Sequence, residues 1–310
     1  MGTADHVERL DRAPKLTPLL LGGALRAPRK RGPFEVARLP ARRLELGGVR
    51  ADSAALRRYA EVCGFPADAE VLPPTYPHLL GFPLQMRLMS AADFPFPLPG
   101  LVHTGIEMHQ HVRLGAGDAL DIAAWAEGPE PHRRGSVFTM ATEARRGGEV
   151  VWESRSRYLC RHRTAAAGEQ GEREPDEELP VRAEWRLGGD LGRRYGAASG
   201  DRNPIHLSAP TAKLFGFPRA IAHGMWSFAR CLAGSEVQQA WARGETGEHL
   251  DAGAEFKAPV LLPATVRFAE GEAGTGTAAL ALRGAEDGRL HLTGSVSSAR
   301  PSPAPPGPSN

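Results

Sequence analysis

"LGRRYGAASGD", residues 191–201, is read twice in this chain. Its earlier version is "LRRYAEVCGF" (56–65), which sets Tyr59 on Tyr195 and Gly64 on Gly200. The likeness continues downstream: "TYPHLLGFPLQMRLMS" (75–90) resembles "AIAHGMWSFARCLAG" (220–234), with His78 on His223. From His78 to Val112 is 34 residues, and so is the step from His223 to Lys257. There "HQHVRLGAGDALDIAAWAEG" (109–128) faces "AEFKAPVLLPATVRFAEG" (254–271). Internal similarity of this kind reports a shared architecture.

Each half closes on alternating apolar and polar residues, over 136–160 and 275–299, broken at Gly147-Gly148 and Asp287-Gly288. That pattern reads as antiparallel hairpins. Ahead of the second set, Met225, Phe228, Ala229 and Leu232 recur at helical spacing, and the helix is expected to run to about Arg243-Gly244. The fold expected is α+β: a long helix wrapped by an antiparallel sheet, the hot-dog arrangement, twice in tandem. The expected organisation is a flexible N-terminal segment (1–32), a degenerate hot dog (33–160), a polar linker (161–180), a second hot dog carrying the chemistry (181–299), and a Pro/Ser-rich disordered tail (300–310).

The halves differ at one place. Tyr195 to His223 spans 28 residues and Tyr59 to His78 only 19, and the nine missing residues fall where the second half carries "DRNPIHLSA" (201–209). Asn203-Pro204 favours a turn there, because proline fixes its own φ and pushes the residue before it out of the helical region. The turn can bring Asp201 and His206 toward one point. A carboxylate orients a water and an imidazole exchanges its proton near neutral pH. Gly224, in "AIAHGM", falls at the start of the long helix, where N–H groups lack internal partners and a missing Cβ lets a carbonyl approach. Water activation at one end and carbonyl polarisation at the other suit addition of water to an α,β-unsaturated thioester.

The stretch "YGAASGDRNPIHLSAPTAKLFGFPRAIAHGM" (195–225) resembles the MaoC-like (R)-specific enoyl-CoA hydratases and dehydratases. Their motif is an Asp, then Asn-Pro and a His five residues on, followed by Gly-Phe-x-x-x-I-x-H-G-M. The resemblance implies that Asp201 and His206 are the catalytic pair and that the Gly224 amide polarises the thioester carbonyl. It implies reversible syn hydration of a trans-2-enoyl thioester to the (3R)-hydroxyacyl product without metal or cofactor. Asn203, Ile221, Met225 and Lys257 are the expected substrate contacts. No side-chain oxyanion donor carries over, since Cys231-Leu232 stand where some members have a small polar residue; Ser227 is the nearest hydroxyl.

Other signals point to less. With 41% hydrophobic residues, 24% charged and a net charge of +2, the chain lacks the basic stripe of a nucleic-acid binder. Three scattered cysteines suggest reduced thiols in a cytoplasmic protein. "LTPLLLGGAL" (16–25) is too short to span a bilayer, and Asp5, Glu8 and Asp11 ahead of it do not suit a signal peptide. "HTGIEMHQH" (103–111) sets His109 and His111 on one face of a strand with His103 nearby; a polar strand face is preferred to a metal site. His223 and Tyr195, matched by His78 and Tyr59, are expected in scaffold roles. Lys257, Arg219 and Lys213 are available to the phosphates of coenzyme A or a carrier-protein arm, with solvated surface charge the default. A longer or bulkier acyl chain is expected where the first half lacks the segment. Rival readings are a hot-dog thioesterase or a non-catalytic acyl-binding subunit, and a monomer or a homodimer of double hot dogs both fit.

Overall fold

The computed structural model of the chain describes residues 6–30, 32–68, 70–164, 178–272 and 276–298. The N-terminal portion runs β1 (His6–Leu10), α1 (Leu16–Arg26), β2 (Arg42–Val49), α2 (Ser53–Cys63), α3 (Tyr76–Ser90), β3 (Leu101–Gln110), β4 (Leu120–His132), β5 (Gly135–Arg146) and β6 (Glu149–Arg161). The C-terminal portion follows as β7 (Val181–Leu187), α4 (Leu191–Ser199), α5 (Pro204–Leu207), α6 (Ala209–Lys213), α7 (Gly224–Gly234), α8 (Glu236–Ala242), β8 (Leu250–Phe256), β9 (Ala264–Glu270), β10 (Thr277–Gly284) and β11 (Leu290–Ser297).

The eleven described strands form one sheet in the order β1-β2-β4-β5-β6-β3-β8-β11-β10-β9-β7. Without β1, the order reads β2-β4-β5-β6-β3 and then its mirror image, β8-β11-β10-β9-β7. The halves therefore meet edge to edge at β3 and β8, paired antiparallel from Gly105↔Glu255 to Gln110↔Leu250. In the first half α3 packs on β2, β4 and β5; in the second α7 packs on β10 and β11. This is the tandem hot-dog fold of the α+β class.

The sequence repeat has a local cause in each copy. The Asp52 side chain caps α2 by accepting from the Ala55 N–H at 2.8 Å. The helix ends at Gly64 with φ 81°, and α4 ends at Gly200 with φ 80°, a left-handed conformation suited to glycine. The matched tyrosines lie together where α2 packs on α4, with the rings of Tyr59 and Tyr195 6.0 Å apart. The hairpin β5–β6 turns through Gly147 (φ 62°) and Gly148 (φ 89°), as that pair of residues predicts.

Two expectations are corrected. The helix from Met225 stops at Gly234, and a separate helix starts after Ser235. Ser235 Oγ donates to the buried Glu270 carboxylate at 2.5 Å, and Glu236 N–H donates to the same group at 3.1 Å. That capping arrangement breaks the run. The segment 1–32, expected to be flexible, contains β1 and α1. β1 pairs parallel with β2, α1 packs on α3 with Leu16, Leu19 and Leu20 against the core, and Lys30 Nζ donates to the carbonyls of Ala91 (2.9 Å) and Phe96 (3.2 Å). Residues 165–177 of the expected linker and the whole of the expected tail, 300–310, lie outside the described residues. No described helix is long and apolar enough to cross a membrane.

Candidate active site

Residues 199–207 fold onto α4 through a relay of short side-chain bonds. Asp201 N–H donates to Ser199 Oγ (3.2 Å), Asn203 N–H to Asp201 Oδ1 (3.1 Å), and Ile205 N–H to Asn203 Oδ1 (3.4 Å). These are turns of the kind Asp, Asn and Ser side chains make with their own backbone. Pro204 starts α5, where its missing N–H costs nothing. The segment lies so close to α4 that two helix positions require glycine. A Cβ on Gly192 would stand 1.9 Å from the His206 carbonyl oxygen, and one on Gly196 would stand 2.8 Å from that of Asp201.

His206 is held by one nitrogen. Its Nδ1–H donates to the Ile221 carbonyl at 2.8 Å, and Ile221 N–H returns a bond to the Ile205 carbonyl at 3.1 Å. A carbonyl partner fixes the proton on Nδ1, which leaves the Nε2 lone pair to act. His223, one residue ahead of α7, clamps the pair: its Nε2–H donates to the Asp201 backbone carbonyl at 3.0 Å and stands 3.8 Å from Asp201 Oδ2. Its ring stacks on His206 with centroids 3.6 Å apart and 23° between planes. Tyr195 covers His223 from a further side, at 4.7 Å.

Burial sets the charges. It pushes the His206 imidazole below the ordinary histidine range, against the pull of the Asp201 carboxylate and the Ile221 carbonyl. His223 goes down much further, from burial and then from His206. The Asp201 carboxyl is pushed up by desolvation, offset in part by His206 and the Asn203 N–H. Both imidazoles are therefore neutral at pH 7. The ligating atoms of Asp201, His206 and His223 lie within 4.8 Å of one another, the one such group among the described residues. It is a poor metal cage: nitrogen lone pairs lie in the ring planes, and two nearly parallel stacked rings point them side by side. The Nδ1 of His206 and Nε2 of His223 are also already committed to carbonyls.

The helix start lies next to this cluster through His223. No side chain caps α7, since His223 makes no cap bond. A Cβ on Gly224 would meet the Phe256 ring at 3.2 Å, so the glycine lets this helix end sit tightly against β8. Asp201, His206, Asn203, Ile221 and Gly224 thus come together. Ile221 takes part by its backbone, and Met225 is buried in α7. Lys257 is drawn elsewhere: just past the end of β8, it pairs with the carboxylate of Glu255. His109 and His111 point outward to Asp251 (2.8 Å) and Glu153 (3.1 Å), without converging.

Four contributors were not singled out for the site from sequence. His223 was assigned to scaffold, yet it touches both Asp201 and His206. Gly192 and Gly196 stand four apart, a spacing that puts both on one helix face and could have shown where the segment docks. Leu16, from the N-terminal helix, reaches the same loop: a Cβ on Gly200 would be 2.7 Å from its Cδ1.

The family model described as "MaoC like domain" matches residues 169–278, the portion holding these residues. The 3-hydroxyacyl-thioester dehydratase X of Mycobacterium tuberculosis (strain ATCC 25618 / H37Rv) is 36% identical over 264 residues, or 83% of this chain and 90% of that protein. The crystal structure of HtdX of Mycobacterium tuberculosis matches with a TM-score of 0.70 at 33% identity, covering 83% of this chain and all (100%) of that one. A MaoC-like dehydratase from Phytophthora capsici matches with a TM-score of 0.69 at 17% identity, covering 89% and 100%, and so shares the fold.

Proposed function

This chain belongs to the MaoC-like dehydratase family, and on that premise we propose that it interconverts trans-2-enoyl and (3R)-3-hydroxyacyl thioesters by adding and removing water. The observation that carries this reading is the neutral His206, held at Nδ1 by a carbonyl, with Nε2 free beside the Asp201 carboxylate. The curated relative's name, a 3-hydroxyacyl-thioester dehydratase, supports the substrate class.

In the hydration direction a water lies between Asp201 and His206 Nε2. Asp201 orients it, and His206 takes one proton as the oxygen bonds to the β-carbon of the enoyl group. The electron pair of the double bond moves to the α-carbon and into the thioester carbonyl. The Gly224 N–H, at the uncapped start of α7, stabilises that enolate oxygen. The proton on His206 then passes to the α-carbon on the same face, which restores the imidazole and gives syn addition. Dehydration runs the same steps backward. His223 holds the Asp201 backbone and the His206 ring in register and does not itself exchange protons. The chemistry belongs to residues 181–299, with 33–160 as the partner half, and the thioester handle is coenzyme A or an acyl carrier protein.

The test is purified protein with crotonyl-CoA, following the enoyl absorbance and free thiol together, then resolving the product's stereochemistry. Loss of absorbance without thiol release, with (3R) product, is expected. Thiol release at the same rate would make the protein a thioesterase instead.

A further inference from the structure

Among the described residues, seven buried side-chain polar atoms have no hydrogen-bond partner, and six belong to the first half: His78 Nδ1, Gln85 Oε1, His103 Nε2, Gln110 Oε1, Ser154 Oγ and Ser156 Oγ. A buried polar group left unpaired costs roughly 1–3 kcal/mol, so six in the half that lacks the catalytic segment call for a cause. Most of them form a line. Ser154, Ser156 and Tyr158 alternate on the inward face of β6, while α3, which packs on the neighbouring β5, carries His78 and Gln85 seven residues apart on one face. Gln85 Nε2 donates to Thr142 Oγ1 at 2.9 Å, and Thr142 pairs across the sheet with Ser154.

The line leads to the site. On β3 the buried Ile106, Met108 and Gln110 point inward and Glu107 and His109 outward. In regular alternation His103 would also face outward. The register slips by one residue between His103 and Gly105, a bulge that turns His103 to the inner face. There it stacks on Tyr158 at 4.7 Å and packs on Phe256 at 5.0 Å, the ring against which Gly224 sits. The His78 ring lies parallel to it, 6.4 Å away. The Asp201 carboxylate is near enough to add to the effect of burial in raising the Tyr158 pKa. Burial holds His103 at about 3 and His78 at about 4, so both rings are neutral. Every group on the stripe is then an uncharged donor or acceptor.

We propose that the stripe His103–Tyr158–Ser156–Ser154, under His78 and Gln85, is the acyl-tail subsite and takes a tail bearing neutral oxygen, a hydroxyl or a keto group. A hydrocarbon tail would leave the stripe unpaired, and a carboxylate would meet no counter-charge on it. This rests on the acyl-thioester reading given above.

The test uses saturated acyl-CoA esters, which cannot react, in pairs of equal chain length with and without a terminal hydroxyl, and calorimetry for binding. The wild type is expected to bind the hydroxylated ester about tenfold tighter at one chain length, the worth of one or two buried hydrogen bonds. The double variant Ser154→Ala/Ser156→Ala, and separately His103→Phe, should lose that difference. The double variant should melt no lower than wild type, because it removes unpaired groups and little volume. Equal binding of each pair by wild type would overturn the subsite and assign the stripe to resident water; so would a preference that survives in both variants. Turnover of the matching enoyl esters separates the two claims. Tail preference without hydration leaves the subsite standing and sinks the hydratase reading, and hydration without tail preference does the reverse. Binding by neither ester overturns both.

Discussion

Helices α2 and α4 occupy matching places in the two halves and differ where it counts. With Tyr59 on Tyr195, Leu56 stands where α4 has Gly192, and Ala60 where it has Gly196. In α4 the missing side chains let the Asp201–His206 segment lie directly on the helix, with carbonyl oxygens at 1.9 and 2.8 Å from the absent Cβ positions. In α2 the same surface is filled, Ala60 is buried, and no described helix stands between Gly64 and α3. One half has given a helix face to a reactive segment; the other kept the scaffold and placed its buried polar groups under α3. On the proposed function, two copies of one fold divide the labour, one activating water and the other shaping the space beside it.

The sharpest break of this comparison is removal of the reactive pair. Asp201→Asn or His206→Ala should lower hydration of an enoyl-CoA by about 100- to 10,000-fold with the melting temperature nearly unchanged, as read by enoyl absorbance. Gly224→Ala comes next. Its Cβ would press the Phe256 ring at 3.2 Å and shift the helix start by a few tenths of an ångström. A loss of about tenfold in kcat, with KM little altered, is expected from such misplacement, while alanine at the matching Leu79 should leave kcat alone.

Acid sharpens the contrast in a different way. Histidines 78 and 103 bind protons in the unfolded chain near the usual value of about 6.5 but only near 4 and 3 when folded. Their folded pKa values are depressed, so the unfolded state holds more protons between those limits. Stability is full above pH 6.5 and falls as the pH drops toward 4 and 3. His103→Phe should flatten the fall of melting temperature over that window; an unchanged slope would deny that burial governs the ring. His206 has a depressed pKa as well, so the acid limb of kcat/KM for hydration should lie below pH 6.5. The smallest effect is expected at the N-terminal helix. Leu16→Ala, at the half-buried contact with Gly200, should cost about 1 kcal/mol and lower kcat less than Gly224→Ala.

The repeat, the hairpins and the Asp/His pair were legible because each leaves a local mark: matched Tyr-Gly spacings, alternation about Gly-Gly, a proline between two titratable groups. What escaped was set by tertiary contact. The helix break at Ser235 depends on Glu270, 35 residues away, whose carboxylate caps the new helix. The order of residues 6–30 depends on an edge of β2 and a face of α3, which composition does not display. Lys257 read as a free cation until its strand neighbour Glu255 took it. His103 was read only as lying near the polar face of His109 and His111, and the bulge at Thr104 turns it inward.

The central claim is that catalysis depends on the room α4 leaves for the Asp201–His206 segment. The direct measurement is hydration of one enoyl-CoA by Gly192→Leu, which gives the second half the first half's residue, beside Leu56→Ala, which trims the first half. Gly192→Leu is expected to stay folded and to lose at least about 100-fold in kcat/KM, while Leu56→Ala loses stability and keeps its rate per folded molecule. Full activity in Gly192→Leu, or an equal loss in both variants, would contradict the claim.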